Sequence, residues 1–263
     1  MIIQNLIALL DEWAPKAYAE DFDNVGLLLG DSKEECSGVL VSLDCTEKIV
    51  EEAIKNKCNL IVCFHPIIFS GLKKINGKNY VERVVIKAIQ NKISVFALHT
   101  RLDNHPTGVN YTIEKQLGLI KSRVLIPKDG RLEVSEIGMG RIGELTSEMP
   151  ELDFLDFVKF QLNTDLIRHS KLSSKKIKKV AFLGGSGSFA IENAKKQGAD
   201  AFITSDLKYH QFFQSENNFL LVDIGHYESE QFTKNLIYDY LMEKLPNFAI
   251  ILSNIITNPV NYF

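Results

Sequence analysis

Two short segments, far apart in the chain, each combine a histidine with a carboxylate four residues later. HTRLD carries His99 and Asp103, and GHYESE carries His226 and Glu230. Imidazole nitrogens and carboxylate oxygens are ligands that zinc, iron and manganese take in proteins. A carboxylate can also bridge two ions about 3.5–4 Å apart, as it does in many two-metal hydrolases. The residue types and their spacing therefore indicate metal chemistry.

Three histidines share one relation to the predicted strands. His99 follows the apolar run SVFAL, His226 follows FLLVDI, and His65 follows LIVCF. Each run is typical of a buried strand, and open α/β sheets gather functional groups at the carboxyl ends of such strands. One histidine in this position is more often a loop hydrogen-bond donor than a ligand. Three of the six histidines, with two matched carboxylates, favour a common metal site. Glu230 is expected one helical turn beyond His226 on the same face, whereas HTRLD is expected on a loop.

The composition is that of a globular protein rather than a membrane or nucleic-acid-binding one. The chain has 263 residues, of which 45% are hydrophobic and 24% charged, and its net charge is −3. Nucleic-acid binding usually needs a basic field, which this balance does not provide. No apolar run approaches the roughly 20 residues of a membrane span. The first segment, MIIQNLIALLDEW, is amphipathic without a basic start, which predicts a helix rather than a signal peptide. The four cysteines form no CxxC pair, which predicts reduced thiols in a cytoplasmic protein.

Predicted strands and helices alternate along most of the chain, which indicates an α/β protein. The order restarts after residue 150, and an offset of 141 residues places Val39 on Val180 and His65 on Asp206. The second copy is either a common structural unit used twice or a duplicated half that faces the first across a cleft. Residues 120–150 are predicted as a bridge or a reduced antiparallel element. The predicted lobes are residues 1–125 and residues 126–263, with the bridging segment in the second.

Two further motifs have a structural and a functional interpretation. GGSGS (184–188) opens a predicted helix, so it is either a tight turn or an anion cradle built from backbone amides. SDLKYH (205–210) begins a predicted helix over 206–215, and Asp206 is a candidate helix cap. In the same segment His210 is a candidate proton donor. Asp23 and Asn24 are interpreted as a turn that orders the first loop.

Six segments of the chain resemble one known family in their order and spacing. They are DFDNVGLLLGD (21–31), LIVCFHPIIFSGLKKI (60–75), FALHTRLDNHPTGVN (96–110), KVAFLGGSGS (179–188), DAFITSDLKYHQ (200–211) and DIGHYESE (223–230). This is the NIF-three-like family, whose members are named GTP cyclohydrolase 1 type 2 homologues. The resemblance implies a two-lobed NIF-three-like α/β fold with duplicated strand–helix–strand units and a dinuclear metal site in the cleft between lobes. It also implies a ring-like homohexamer, and the short 120–150 stretch suggests that the inserted domain of longer members is missing.

By position, the resemblance implies a set of ligands for one or two divalent ions of zinc, iron or manganese. They are His65, Asp103, His226 and Glu230, with His99 beside them as a ligand or a supporting group. The chain departs from the family at Phe64, where the family has a second histidine, and phenylalanine cannot ligate a metal. Either one ion binds weakly, or the site is mononuclear, or activity is lost. Cys63 is not expected to replace the histidine, because strand alternation points it away from the side of Phe64.

Two classes of function follow for a cytoplasmic, divalent-metal-binding protein. One is a metal-dependent hydrolase acting on a nucleotide or phosphoester, in which Asp103 or Glu230 bridges the ions. The family name points to the purine ring of GTP. The other is a non-enzymatic, ring-like metal-binding scaffold, regulator or metal chaperone, which Phe64 favours. The expected partners are further copies of this chain and a small nucleotide or phosphoester ligand, without a membrane or a nucleic acid.

Overall fold

The fold is mixed α/β and is built from two compact units. The computed structural model describes residues 1–130 and 135–263. One unit comprises Met1–Leu102 and Thr233–Phe263, and the other comprises Asp103–Phe232. This division differs from the predicted single boundary between residues 125 and 126. The chain returns to the first unit after residue 232, because its last strand pairs with a strand near the beginning of the chain.

The helices and strands alternate as the sequence predicts. In chain order the α-helices are α1 (Ile3–Trp13), α2 (Glu47–Lys55), α3 (Tyr80–Gln90), α4 (Thr100–Asp103), α5 (Val109–Gln116), α6 (Glu151–Leu162), α7 (Ile191–Lys196), α8 (His226–Glu230) and α9 (Thr233–Lys244). The strands are β1 (Gly26–Leu29), β2 (Val39–Ser42), β3 (Leu60–Cys63), β4 (Ser94–Ala97), β5 (Ile120–Pro127), β6 (Gly138–Pro150), β7 (Arg168–His169), β8 (Lys176–Ser186), β9 (Ala201–Ser205), β10 (Leu220–Asp223) and β11 (Ile250–Leu252). In the described part of the chain, no helix is long and apolar enough to span a bilayer.

The first unit contains a five-stranded sheet in the order β1-β4-β3-β2-β11. Strands β4, β3, β2 and β11 are parallel, and β1 is an antiparallel edge. All residues of β2, β3 and β4 are buried, as expected for parallel strands covered on both faces. Helices α2 and α3 begin at Thr46 and Asn79, whose side chains accept hydrogen bonds from the amides of Ile49 and Glu82. These helices bury their apolar faces against the sheet.

The register of this sheet brings three polar residues to one edge. Val39, Leu60 and Ser94 are paired across β2, β3 and β4, and Asp44, His65 and His99 each lie five residues further on. Because parallel strands in register end together, these three side chains leave the sheet at the same edge. The parallel strands of the first unit therefore place His65 and His99 at the same edge of the sheet.

The second unit contains a six-stranded sheet in the order β5-β6-β8-β9-β10-β7. Strands β8, β9 and β10 are parallel, while β5, β6 and β7 are antiparallel to their neighbours. The predicted antiparallel element within 120–150 is the pair β5 and β6, and residues 131–134 of that stretch lie outside the described residues. The core contains Leu125, Ile142, Ala181, Phe202 and Leu221.

The predicted internal repeat is present in the two sheets. Val39 pairs with Leu60, and Val180 pairs with Ala201, so the same offset of 141 residues relates both partners. The parallel strands β2, β3 and β4 therefore correspond in register to β8, β9 and β10. In each sheet an antiparallel edge strand lies beside the third of these. One strand–helix–strand unit is used twice, with the same register.

Two helices differ from the prediction. The long helix expected after His226 is divided into α8 and α9, and the helix expected over 206–215 is a 3-10 helix at Tyr209–Ser215. Asp206 has a left-handed backbone with φ 58, which holds the residues after β9 out of a helix. This conformation directs the Asp206 side chain to a different role, described below.

Candidate metal centre

His65 is held in one orientation by a neighbouring carboxylate. Its amide donates to the carbonyl of Leu43 at 3.0 Å, just beyond the end of β3. Its Nδ1–H donates to Asp44 Oδ1 at 2.8 Å. The other oxygen of Asp44 accepts a hydrogen bond from the hydroxyl of Thr257. Since the two ring nitrogens point in different directions, this bond turns Nε2 of His65 away from Asp44.

His99 has the same arrangement with a different aspartate. It lies just beyond β4, has φ 39, and donates its Nδ1–H to Asp23 Oδ1 at 2.8 Å. The amide of Thr100 donates to Asp23 Oδ2 at 3.1 Å. Burial alone would raise the pKa of the Asp23 carboxyl, but the bonds from His99 and Thr100 outweigh it and lower that pKa. Asp23 is therefore a fixed anion that supports His99, rather than only the turn residue predicted from the sequence.

Phe64 is packed directly against both imidazoles. Its side chain is fully buried, and its ring centroid lies 4.9 Å from that of His65 and 5.6 Å from that of His99. The two imidazole centroids are themselves 5.6 Å apart. The thiol of Cys63 donates to the carbonyl of His65 at 3.1 Å, and burial raises its pKa well above the usual value. A protonated, carbonyl-bonded thiol is not a metal ligand, as the sequence predicts for Cys63.

His226 and Glu230 lie on one face of α8, as predicted. Gly225 has φ 88, a conformation that glycine adopts readily and that turns the chain from β10 into the helix. His226 Nε2 is 3.1 Å from Glu230 Oε2. On the other side of the ring, Nδ1–H donates to Asp206 Oδ2 at 2.7 Å. Glu230 is only 4% exposed, so solvent screens the interaction of its charge with the imidazole only weakly.

The electrostatics of this pair favour a positive charge between the carboxylates. Burial alone would lower the pKa of His226, but hydrogen bonds and charge interactions with Asp206 and Glu230 raise it to about 11. The hydrogen bond from His226 in turn lowers the pKa of Asp206. A protonated imidazole therefore occupies this position near neutral pH. A divalent cation would supply the same positive charge to Glu230.

The GGSGS segment (184–188) is close-packed in the second unit, where it forms the end of β8 and leads into a 3-10 helix at Ser188–Ala190. The amide of Gly184 donates to Asn110 Oδ1 at 3.1 Å, and that of Gly185 donates to Ser229 Oγ at 2.8 Å. A Cβ atom on Gly185 would lie 2.3 Å from Glu230 Oε1. These amides are bonded within the protein, so the anion-cradle interpretation is wrong for them. The glycines instead let the backbone approach the Glu230 carboxylate.

Two further residues singled out in the sequence are Asp103 and His210. Asp103 is the last residue of α4 rather than part of a loop, and its carbonyl accepts a hydrogen bond from Asn110 Nδ2 at 3.0 Å. The same Asn110 side chain accepts a hydrogen bond from the Gly184 amide, so it links Asp103 to the end of β8 within the second unit. His210 lies against Tyr209 and Phe213, with ring centroids 5.1 and 6.2 Å away.

Sequence reasoning missed the aspartates that orient the histidines. Asp44 follows β2 and Asp206 follows β9, in the strand-end position that revealed the histidines themselves. The same rule, applied to carboxylates, would have found both. Asp23 precedes β1, a short strand that the sequence analysis did not predict, and carried no such signal.

Comparisons with known proteins agree with this architecture. A family model described as Duf34/NIF3 (NGG1p interacting factor 3) matches residues 1–259. A Clostridium acetobutylicum protein named GTP cyclohydrolase 1 type 2 homolog is 35% identical over 229 residues, covering 87% of this chain and 85% of the relative. The crystal structure of a hypothetical protein from Staphylococcus aureus has a TM-score of 0.90 and 32% identity, covering 100% of this chain and 99% of that chain.

A longer relative aligns with the whole of this chain. A Staphylococcus epidermidis protein with the same name aligns over 366 residues at 29% identity, with both chains fully covered. This chain has 263 residues, so 103 aligned positions (366 less 263) have no counterpart in it. That excess agrees with the prediction that this chain lacks an inserted domain. The match over residues 1–259 shows that the chain belongs to the Duf34/NIF3 family.

Proposed function

We propose that this chain binds a divalent metal ion through His65, His226 and Glu230, with Asp103 and His99 as further donors. One observation carries the proposal: each of the three histidines donates its Nδ1–H to an aspartate, at 2.8, 2.8 and 2.7 Å. Metal-ligating histidines almost always have such a partner, which fixes the ring and makes Nε2 a better ligand. Three repetitions of the arrangement therefore support a metal centre.

The donor set also fits the chemistry of zinc, iron or manganese. These ions accept imidazole nitrogen together with carboxylate oxygen. Bound there, such an ion would polarise an electrophile and lower the pKa of a water molecule. In the protein, Asp44 and Asp206 orient their histidines, and Glu230 supplies a buried negative charge. His99, held by Asp23, is a further candidate donor beside His65.

The activity we propose is metal-dependent hydrolysis of a nucleotide or phosphoester. The relatives' name, GTP cyclohydrolase 1 type 2 homolog, belongs to those proteins and supports only the general class here. A non-enzymatic metal-binding scaffold, regulator or chaperone is the second candidate. The fully buried Phe64 favours it, because this ring packs against His65 and His99 and cannot ligate an ion. We also propose a homohexamer, which light scattering tests.

Metal content is the decisive measurement for the proposed function. We expect mass spectrometry of protein purified without chelator to find between one and two zinc, iron or manganese ions per chain. The reconstituted protein is then assayed against GTP and a phosphodiester. We expect slow phosphodiester hydrolysis that a chelator abolishes, and little opening of the GTP ring. A chain that takes up none of these ions would refute the metal site, while metal uptake without hydrolysis would support the scaffold.

Restoring a histidine at position 64 is expected to increase metal binding. Phe64→His places an imidazole against His65 and His99, whose ring centroids are 4.9 and 5.6 Å from the Phe64 ring. We expect a higher metal stoichiometry or at least a tenfold higher affinity for the weaker ion. The free energy of unfolding is measured beside it, because the change removes buried apolar surface. A folded variant with unchanged metal content would show that the absent imidazole does not limit binding.

Metal uptake is expected to release a proton from His226. Its pKa of about 11 means that the metal-free ring is protonated at pH 8, and only a neutral imidazole can ligate. Calorimetry in two buffers of different ionisation enthalpy should show about one proton released per ion. Affinity should rise roughly tenfold per pH unit between pH 7 and 9. Asp206→Asn, which removes one cause of the raised pKa, should reduce the proton release. Binding without proton release would contradict the role given to His226.

A further inference from the structure

The first unit contains a cavity of about 420 Å³ beside His65. His65 and its partner Asp44 both line it, together with Tyr80, Pro66, Thr257 and Pro259. A volume of this size is within the range of small-molecule pockets, roughly 300–1,000 Å³. The cavity lies wholly within one unit, so its walls are set by that unit's own packing. A ligand in it would lie against one of the histidines assigned above to the metal.

We propose that this cavity binds an uncharged planar heterocycle, which is the ring portion of the substrate and not its phosphate. The proposal rests on the proposed function, because it takes His65 to be a ligand of the ion. It goes further by naming the part of the substrate that the protein recognises.

The charge of the cavity argues against a phosphate. The described residues that line it include no lysine or arginine. Its anionic side chain is Asp44, whose Oδ1 accepts from His65 and whose Oδ2 accepts from the Thr257 hydroxyl. Phosphate sites are built from arginine, lysine or clustered amide donors. In the metal-free protein a phosphate here would meet the Asp44 carboxylate with no lysine or arginine side chain to offset it, whereas a neutral ring would carry no charge to be repelled.

The wall surfaces suit a flat ring. Tyr80 is the first residue of α3, and it is 60% exposed although it lines the cavity. An exposed aromatic face at a pocket mouth is a stacking surface, and every heterocyclic base offers a matching π-face. Pro66 and Pro259 add apolar ring surface without hydrogen-bond donors. Together these three side chains offer contact area for a ligand and no charged group.

The C-terminal segment makes the cavity a preformed site. Thr257 is tied to Asp44, and the carbonyl of Ser253 accepts a hydrogen bond from Lys234 Nζ at 2.9 Å. The hydroxyl of Ser253 donates to Glu52 on α2. These bonds hold the segment that carries Pro259 against the rest of the first unit. A wall fixed before binding lowers the entropic cost of ordering the site around a ligand.

Binding of guanosine and GTP to metal-free protein tests the inference. The two probes share one ring and differ in the triphosphate, and treatment with EDTA removes any attraction between the phosphates and an ion. Calorimetry or saturation-transfer NMR should show guanosine binding at least about tenfold more tightly than GTP. Tyr80→Ala should weaken guanosine binding roughly tenfold, the usual effect of losing one stacking surface. Tyr209→Ala, which removes a 73% exposed tyrosine from the other unit, should change nothing.

Each contrary result has a defined meaning. Equal or tighter binding of GTP, no binding of guanosine, or sensitivity to Tyr209→Ala instead of Tyr80→Ala would each overturn the proposal. Unfolding temperatures of both variants are measured, so that misfolding is recognised. Tyr80→Lys provides a second test, since a cation at the cavity mouth should reverse the preference toward GTP. Metal analysis of untreated protein keeps the questions separate: metal uptake without guanosine binding refutes the cavity alone, and the converse refutes the metal site alone.

Discussion

Glu230→Gln is expected to lower divalent-metal affinity by about 100-fold or more. Partners that merely orient a ligand are worth 10–100-fold in affinity, so the loss of a direct carboxylate ligand should cost at least that much. Glutamine keeps the shape of the side chain but removes its negative charge. The effect should be large because Glu230 is only 4% exposed and lies 3.1 Å from His226 Nε2. Competition with a chromogenic chelator measures the affinity directly.

The matched control is Glu228→Gln, which removes the same charge from the same short helix α8 two residues earlier. It should bind metal as tightly as the unmodified chain. If Glu230→Gln retains full metal content, Glu230 is not a ligand and the metal site must be built from other donors. Any hydrolysis that survives in a metal-free Glu230→Gln protein would come from other residues or from a contaminant.

Gly185→Ala is expected to weaken metal binding strongly with only a moderate loss of stability. The new Cβ would lie 2.3 Å from Glu230 Oε1 and 3.6 Å from His226 Cε1, so the carboxylate must move. Gly185 also has φ +70, where any other residue is strained. We expect at least a tenfold loss of metal affinity and a destabilisation of about 1–2 kcal/mol from the backbone strain. Urea denaturation and metal titration measure the two effects separately.

Gly198→Ala separates backbone strain from displacement of the carboxylate. Gly198 has φ +74, nearly the value at Gly185, but a Cβ there would meet nothing within 4 Å. The two variants should therefore lose similar stability, while only Gly185→Ala loses metal affinity. Similar metal affinity in both would show that the close approach of Gly185 to Glu230 has no part in ion binding.

The sequence predicted the histidines of the candidate site more readily than the groups that hold them. His65, His99 and His226 were found because their position after a strand is visible in a few neighbouring residues. Their aspartate partners lie 21, 76 and 20 residues away along the chain. Such pairings depend on which strands are neighbours and on the register between them. A local sequence pattern predicts neither of these. The raised pKa of His226 depends on the same long-range pairing with Asp206.

Prediction of the fold from the sequence has the same limit. Hydrophobic runs identified the buried parallel strands of both sheets, because every residue of β2, β3 and β4 is apolar or small and buried. Strand β1 was not predicted, since its four residues are all half-buried, and β7 has only two residues. The pairing of β11 with β2 joins segments about 210 residues apart, which is why the predicted boundary between units differs from the observed division.

Phe64 bears on a conflict between stability and metal binding. In the shared register, Phe64 and His65 correspond to Ser205 and Asp206 of the second sheet, so one loop position holds a candidate ligand and the other holds a residue that orients one. Burying a phenylalanine contributes about 1.5–3 kcal/mol to stability, and Phe64 is fully buried. At this position stability and metal capacity therefore oppose each other. A lineage selected for robustness gains from the phenylalanine, whereas one selected for a second ion must give up that stability.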